Sequence, residues 1–458
     1  MGLLFYPRGG SAHVARNLAT ALPGDGWDVT ILTGSIGRPG LPGDARGFYR
    51  GLDVRPVDMT RALDAPDPLA ADPPLHPSYE DRPGAPDRVF ASLDGAAAEH
   101  QIACWARALQ SVGAARADVL HLHHLTPLNE AALRVAANVP VVGHVHGTEL
   151  LMLEAIERDP GRWSHGREWA ERLRGWAERC RRLVLQSETQ LERARRLLGI
   201  EPERCAVVPN GFDPATFFPR HVDHAALWRR HLVDDPHGWE PGGEPGSVRY
   251  GPADLAAFAD EQGETPVLLY VGRFTEVKRV PLLIEAYARA LPGFRRRAPL
   301  VLVGGFPGEW EGEHPFETVR RVGARDVFLA GWHEHRDLAD ILAASDVVVL
   351  PSVREQFGQV LVEGMACGLP AIAVDAHGPA EIVAHGETGW LVEPDDVVGL
   401  ANALVEAVNR PRESLRRGGA AAADARERFA WPSLAQDMAA IYDAARGVEP
   451  ARELLTGA

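Results

Sequence analysis

Two cations and two carboxylates in the second half of the chain are the residues best equipped for chemistry. Arg273 and Lys278 flank a turn in Tyr270-Val-Gly-Arg-Phe-Thr-Glu-Val-Lys278, where a strand-like run ends at Gly272 and a helical pattern follows. Open α/β sheets bind ligands at the carboxyl ends of their strands. An arginine fork and a compact ammonium placed there suit a diphosphate. Lys278 is the sole lysine in a chain whose Lys+Arg total is 48. A lysine retained where arginine is the default cation marks a site that needs a point charge. Glu355 and Glu363 follow a second strand-like run, Asp346–Leu350, and stand eight residues apart, with helical spacing from Phe357 onward. That is about two turns, so the pair can touch two parts of one elongated ligand. Carboxylates accept hydrogen bonds from vicinal hydroxyls, which makes sugar and ribose rings apt partners. The free amides of the helix's first turn, around Gly358, Gln359 and Val360, favour an anion.

The first half contributes a Gly9-Gly10 loop after the first strand, opening a helix that Ser11 can cap. Glycines at such a point let a backbone come close to a phosphate or sugar. Five histidines gather at two strand ends: His121, His123, His124, then His144 and His146 before Gly147-Thr-Glu149. No thiol or carboxylate completes a ligand spacing typical of zinc, so no metal is expected. A histidine at a strand's carboxyl end is better suited to hydrogen bonding or acid–base work.

The elements that must hold these residues alternate between short β-branched runs and helical patterns, which predicts a parallel α/β architecture. Strands are expected at Leu3–Tyr6, Asp28–Thr33, Val119–His123, Val139–Val145, Arg182–Gln186 and Ala206–Val208, then at Pro266–Val271, Leu300–Val303, Val327–Ala330, Asp346–Leu350 and Ala371–Val374. Helices are expected at Ser11–Leu22, Leu191–Leu198, Val280–Ala290, Asp337–Ala344 and Phe357–Cys367. Two doubly wound domains follow, residues 1–213 and 264–430, joined by a polar, irregular linker or insertion over 214–263. A second irregular stretch, 36–93, carries ten prolines between Pro39 and Pro86; it is expected to be an insertion that shapes the first domain's binding pocket.

Composition bounds the function. The chain of 458 residues, 45% hydrophobic and 24% charged, is ordinary for globular domains and long enough for two of them. A net charge of −15 disfavours nucleic acid and anionic lipid as partners. No apolar run reaches transmembrane length, so no stable membrane insertion is expected. The opening MGLLFYPRGG lacks a basic flank and an apolar core, and the four cysteines form no CxxC pair; both features lead to the expectation of a cytoplasmic protein with reduced thiols. Oligomeric state is not legible.

Taken together, GG (9–10), DVLHLHH (118–124), HVHGTE (144–149), VVPNGFD (207–213), VGRFTEVK (271–278), the glutamates at 355 and 363 and GPAEIVAHGETGWLV (378–392) resemble glycosyltransferase family 4 in order and spacing. The resemblance covers most of the chain outside 36–93 and 221–263. It implies the GT-B fold: two Rossmann-like domains facing across a cleft, acceptor on the first and nucleotide-sugar on the second, with a closing helix near 431–445 that returns to the first domain. It implies a retaining, metal-independent enzyme with no cofactor, moving a sugar from a nucleotide-diphosphate sugar (a UDP-sugar is favoured) to a hydroxyl of a small polar or natural-product acceptor. On this likeness Arg273 and Lys278 clamp the diphosphate, Glu363 takes ribose hydroxyls, and Glu355 takes hydroxyls of the donor sugar. His146 faces the reacting sugar, Gly9 and Gly10 lie beside the diphosphate, and Phe357, Gly358, Gln359 and Val360 line the donor. Gln359 departs from the family, where an apolar residue is common. Two other readings fit the same motifs: a GT-B sugar-nucleotide epimerase, and a non-catalytic sugar-nucleotide-binding partner of another enzyme. A phosphorylase would need pyridoxal phosphate on a lysine, and only Lys278 is available.

Overall fold

The computed structural model describes residues 1–447 apart from 8, 38–42, 82–86 and 262. The chain forms two compact units: Met1–Asn210 together with the segment from Trp431 onward, and Gly211–Ala430.

Unit 1 is built on seven parallel strands: β1 (Gly2–Leu3), β2 (Thr30–Ser35), β3 (Asp53–Asp58), β4 (Leu120–His123), β5 (Val141–His144), β6 (Arg182–Leu185) and β7 (Cys205–Val207), in the order β3-β2-β1-β4-β5-β6-β7. This is the doubly wound order, whose crevice opens where it reverses, between β1 and β4. Strand β1 is shorter than Leu3–Tyr6, because the chain leaves the ladder after pairing Leu3 with Thr33 and His123. The closing helix, Trp431–Arg446, belongs to this unit: Trp431, Leu434, Met438 and Tyr442 are buried with Val14, Leu18, Val142 and Val184.

The stretch 36–93 is not wholly irregular. It contains β3, which pairs with β2 along its full length, and its Met59, Leu75, Tyr79 and Phe90 enter the unit's core. Strand β3 escapes sequence reading because it is an edge strand, charged at Asp53, Arg55 and Asp58 and carrying Pro56, which an edge tolerates. Pro39, Pro42, Pro83 and Pro86 lie outside the described residues.

Unit 2 begins with a short two-stranded ribbon, β8 (Ala259–Asp260) and β9 (Gly263–Glu264). Its main sheet has six parallel strands: β10 (Leu268–Val271), β11 (Leu300–Val303), β12 (Val327–Gly331), β13 (Val347–Leu350), β14 (Ala371–Val374) and β15 (Gly389–Val392), ordered β12-β11-β10-β13-β14-β15. The order again reverses between first and fourth strands, here β10 and β13. Every residue of β11, β13 and β14 is buried, as parallel strands covered on both faces require. The edge strand β15 lay unread within the 378–392 run.

The region 214–263 is not a linker. It is part of unit 2, and Phe217, Trp228, Leu232, Trp239 and Phe258 are buried in the same core as the main sheet. Its helix His224–Arg229 and following π-turn Arg230–Asp234 were hidden by short lengths and polar, Gly/Pro-rich surroundings. The unit boundary falls between Asn210 and Gly211 rather than after 213.

Candidate active site

In unit 2, Arg273, Lys278 and Glu355 lie on two loops at the reversal of strand order, while Gln359, Val360 and Glu363 lie on the helix that follows the second loop. The loop after β10 runs from Gly272 through Arg273 to a 3-10 turn, Glu276–Lys278; the loop after β13 runs from Pro351 to Gly358. Their backbones are tied: Val353 N donates to Val277 O at 3.0 Å, and Ser352 Oγ to the same oxygen at 3.2 Å. Lys278 Nζ and Glu355 form an ion pair across them, both side chains largely shielded. Arg273 is exposed, and its guanidinium makes no ion pair among the described residues. Its carbonyl accepts from the buried Tyr270 hydroxyl at 2.7 Å. Burial pushes the Tyr270 phenol well above its usual range; the nearby Glu355 charge pushes it further and Arg273 opposes it, so both charges reach this buried hydroxyl. Between them the loops hold one cation with an internal partner, Lys278, and two facing solvent, Arg273 and Arg354, a fit for an anion arriving from outside.

The helix after the second loop spans Gln359–Ala366, starting two residues later than expected, because Gly358 (φ 109°) takes a left-handed conformation as its N-cap. Phe357 is buried and its carbonyl lies so close to Gly378 that a Cβ there would come within 2.3 Å. Gly378 N donates to Glu355 O at 3.3 Å. Glu363, on that helix's second turn, is 3% exposed, and its Oε1 accepts from His335 Nε2 (2.9 Å) and Gln359 Nε2 (3.1 Å). Gln359 Nε2 also donates to Gly211 O at 2.8 Å. The Gln359 amide thus holds a buried carboxylate, a task no apolar side chain performs. Val360 is half-buried, packed against the unit's core.

In unit 1, Gly9 caps and Gly10 opens the helix Gly10–Ala21; both are exposed, and an added Cβ on either meets nothing within 4 Å. The space beside them is open to a ligand. His146, expected as a hydrogen-bonding or acid–base group facing the reacting sugar, follows β5. It is 9% exposed, and both ring nitrogens are engaged. Gln186 Nε2 donates to its Nδ1 (2.8 Å) and to Asn210 Oδ1 (3.1 Å), so the ring's proton sits on Nε2 and points to His123 Nδ1 at 3.1 Å. Burial, reinforced by His144, His124, His123 and His121, drives its pKa well below the usual histidine range. Both ring nitrogens are thus committed to Gln186 and His123. His124 differs: it sits in left-handed conformation (φ 67°), and its Nδ1 lies 2.8 Å from Oε1 of the fully buried Glu149.

His121, His123 and His144 bring ring nitrogens within 4.8 Å of one another, a spacing compatible with a metal ion. Their rings are stacked with interplanar angles of 7–28°. His121 Nε2 and His144 Nδ1 face each other at 3.2 Å, within hydrogen-bonding distance.

Several residues of these surfaces escaped sequence reading. His335 lies 28 positions before Glu363, with no spacing to connect them. Gln186 and Asn210 act only through the fold. Gly304 and Gly305 were findable by the reasoning applied to Gly9-Gly10, since both follow a strand; a Cβ on Gly304 would sit 2.2 Å from Gly272 O. The exposed Phe306 and Trp332 stand at the carboxyl ends of the adjacent strands β11 and β12.

Two doubly wound units, one with cations and carboxylates at its switch point, define the class of GT-B glycosyltransferases. The comparisons agree. Residues 8–216 match the model described as Glycosyltransferase Family 4, and residues 255–424 that of Glycosyl transferases group 1. The chain is 30% identical to a D-inositol 3-phosphate glycosyltransferase of Streptosporangium roseum, over 71% of this chain and 69% of that one. It is 31% identical to N-acetyl-alpha-D-glucosaminyl L-malate synthase of Bacillus anthracis, over 38% and 45%. Among solved structures it resembles Anabaena HepE in complex with UDP and glucose (TM-score 0.65, 19% identity, 97% and 98% covered) and sucrose-phosphate synthase of Thermosynechococcus elongatus (0.64, 20%, 98% and 99%). The chain belongs to glycosyltransferase family 4 and is a glycosyltransferase. No helix among the described residues is long and apolar enough to cross a membrane.

Proposed function

We propose that the chain transfers a sugar from a UDP-sugar to a hydroxyl of a small, polar, anionic acceptor, with retention of configuration and without a metal. The observation that carries this reading is the Lys278–Glu355 ion pair at the β10/β13 reversal, with Arg273 beside it and Glu363 on the helix that follows. Arg273 and Lys278 bind the diphosphate and offset the charge that grows on it as the bond to the sugar breaks, the role a metal plays elsewhere. Glu355 orients sugar hydroxyls, and Glu363, held by His335 and Gln359, receives those of the ribose. In the transfer the C1–O bond to the β-phosphate breaks, the acceptor oxygen bonds to C1 from the same face, and the acceptor proton passes to the departing phosphate oxygen. A double displacement needs instead a carboxylate nucleophile on the opposite face. UDP is favoured by the UDP complex of Anabaena HepE, and an anionic acceptor by the inositol phosphate and malate in the relatives' names.

On the acceptor side, the 36–93 stretch places His76 and Tyr79 against Phe5 and His124, at the carboxyl ends of β1 and β4. We read these rings as a wall of the acceptor pocket.

The test is incubation with UDP-glucose or UDP-N-acetylglucosamine, with inositol 3-phosphate or malate, and NMR of the product's anomeric proton. The reading expects a glycoside with the donor's anomeric configuration. Isomerised nucleotide-sugar without an acceptor would identify an epimerase, and an inverted product would overturn the mechanism.

A further inference from the structure

The segment around residues 236–250, inside the region that reads as a linker, does not simply cover unit 2. It is pinned to the edge strand β12. His237 bridges Gly331, and Gly238 lies so near Leu329 that a Cβ there would come 2.1 Å from its carbonyl oxygen. Gly238 O then accepts from Gly246 N (2.9 Å) and Val248 N (3.1 Å), closing a tight loop. This anchoring sets the next residue, Trp239, which is 1% exposed.

Trp239 inserts into an aromatic group made of the loops after β10 and β11. Its ring centroid lies 4.4 Å from His314, 5.4 Å from Trp310 and 6.1 Å from Phe274, the last in a stacked orientation. Phe274 is the residue after Arg273. Its ring fills the space over Gly305, where a Cβ would come within 2.4 Å of it. Its backbone bridges Trp310, and its carbonyl accepts from Glu311 N at 2.9 Å. Glu276 N donates to Glu311 Oε2 at 3.2 Å. The Arg273–Lys278 loop is thus gripped twice: at Val277 by the loop carrying Glu355, and at Phe274 by a stack whose far member is Trp239.

We propose that Trp239 is a positioning residue for donor binding: through Phe274 it holds Arg273 and Lys278 at the spacing a diphosphate needs, so the 236–250 segment sets donor affinity without touching the donor. This rests on the reading that unit 2 binds a nucleotide-sugar. A flexible loop would have to be ordered at the moment of binding, and a packed one is ordered in advance.

The test is calorimetric titration of the full-length protein with UDP and with UMP, which lacks the second phosphate. Trp239→Ala is expected to shrink the wild-type preference for UDP over UMP by roughly tenfold, the scale of coupling through a packed layer. Trp239→Phe should restore most of it, and Trp239→Leu serves if alanine does not fold. Trp228→Ala is the control. Trp228 is equally buried in the same region but stacks on Phe258, 5.3 Å away. It should lower thermal stability and leave the UDP:UMP ratio alone. An unchanged ratio in Trp239→Ala, or an equal fall in Trp228→Ala, overturns the positioning role. A wild-type protein that binds neither UDP nor GDP nor ADP would instead sink the donor reading beneath it.

Discussion

The Lys278–Glu355 pair offers a way to separate what the site does for the fold from what it does for the reaction. Each side chain retains 18% of its exposure, between the surface regime, where ion pairs contribute about 0–1 kcal/mol, and the buried one, where breaking a pair costs about 3–5 kcal/mol. Lys278→Met leaves Glu355 half-desolvated without its cation, and an intermediate loss of about 2 kcal/mol follows. For a unit of this size that lowers Tm by about 4–8 °C. Lys278→Met/Glu355→Gln removes both charges and should recover most of that stability, since the penalty lies in the orphaned carboxylate. Catalysis behaves oppositely. Lys278→Met should lose about 10²-fold or more in kcat/KM, as for removal of one charge-stabilising donor, and the double variant should recover none of it. Thermal unfolding and initial-rate assays on the same preparations give both readouts. If the double variant regains activity along with stability, the pair is structural and the diphosphate reading of Lys278 is wrong.

Further outcomes follow from the same geometry. Glu363→Gln should raise donor KM about tenfold or more with the ribonucleotide donor, yet have little effect with a 2′,3′-dideoxy analogue; equal losses with both would show that the carboxylate does not meet the ribose. The buried histidines make unit 1 acid-sensitive. His121, His123 and His146 lie well below 6.5, and His144 is lowered to about 3, each chiefly by burial. Below pH 6.5 the unfolded chain takes up protons that the folded rings refuse. Stability therefore falls as pH drops from 6.5 toward 3, by up to about 1.4 kcal/mol per pH unit for each ring, and His144→Asn should flatten the slope by about one proton. Denaturant unfolding at stepped pH measures this, and stability unchanged between pH 7 and 5 would contradict it. On the acceptor side, Tyr79→Ala should raise acceptor KM and leave UDP affinity unaltered; a change confined to UDP binding would remove Tyr79 from the acceptor wall.

The sequence was most informative where chemistry and backbone act locally. Lys278 stands out because it is the only one of its kind, and Glu355 and Glu363 because they stand eight residues apart after a strand, although Glu355 lies in the loop before the helix Gln359–Ala366 rather than on it. Both loops follow strands whose apolar runs are unmistakable, so their placement is legible from residue types and spacing alone. What stayed hidden depends on partners far along the chain. The bond to His146 Nδ1 comes from Gln186, itself held by Asn210, 40 and 64 positions later, and no spacing rule relates them. Trp239 reads as one aromatic in a Gly/Pro-rich tract, and only the close approach of Gly238 to Leu329 reveals a core residue. Strand β3 lacked an apolar pattern because an edge strand does not need one.

The central claim is that the loops after β10 and β13 hold one nucleotide-sugar. A crystal structure with UDP bound tests it most directly. The account predicts diphosphate oxygens within about 3 Å of the Arg273 guanidinium and Lys278 Nζ, and ribose hydroxyls at the same range from Glu363. UDP seated away from these three side chains would contradict it.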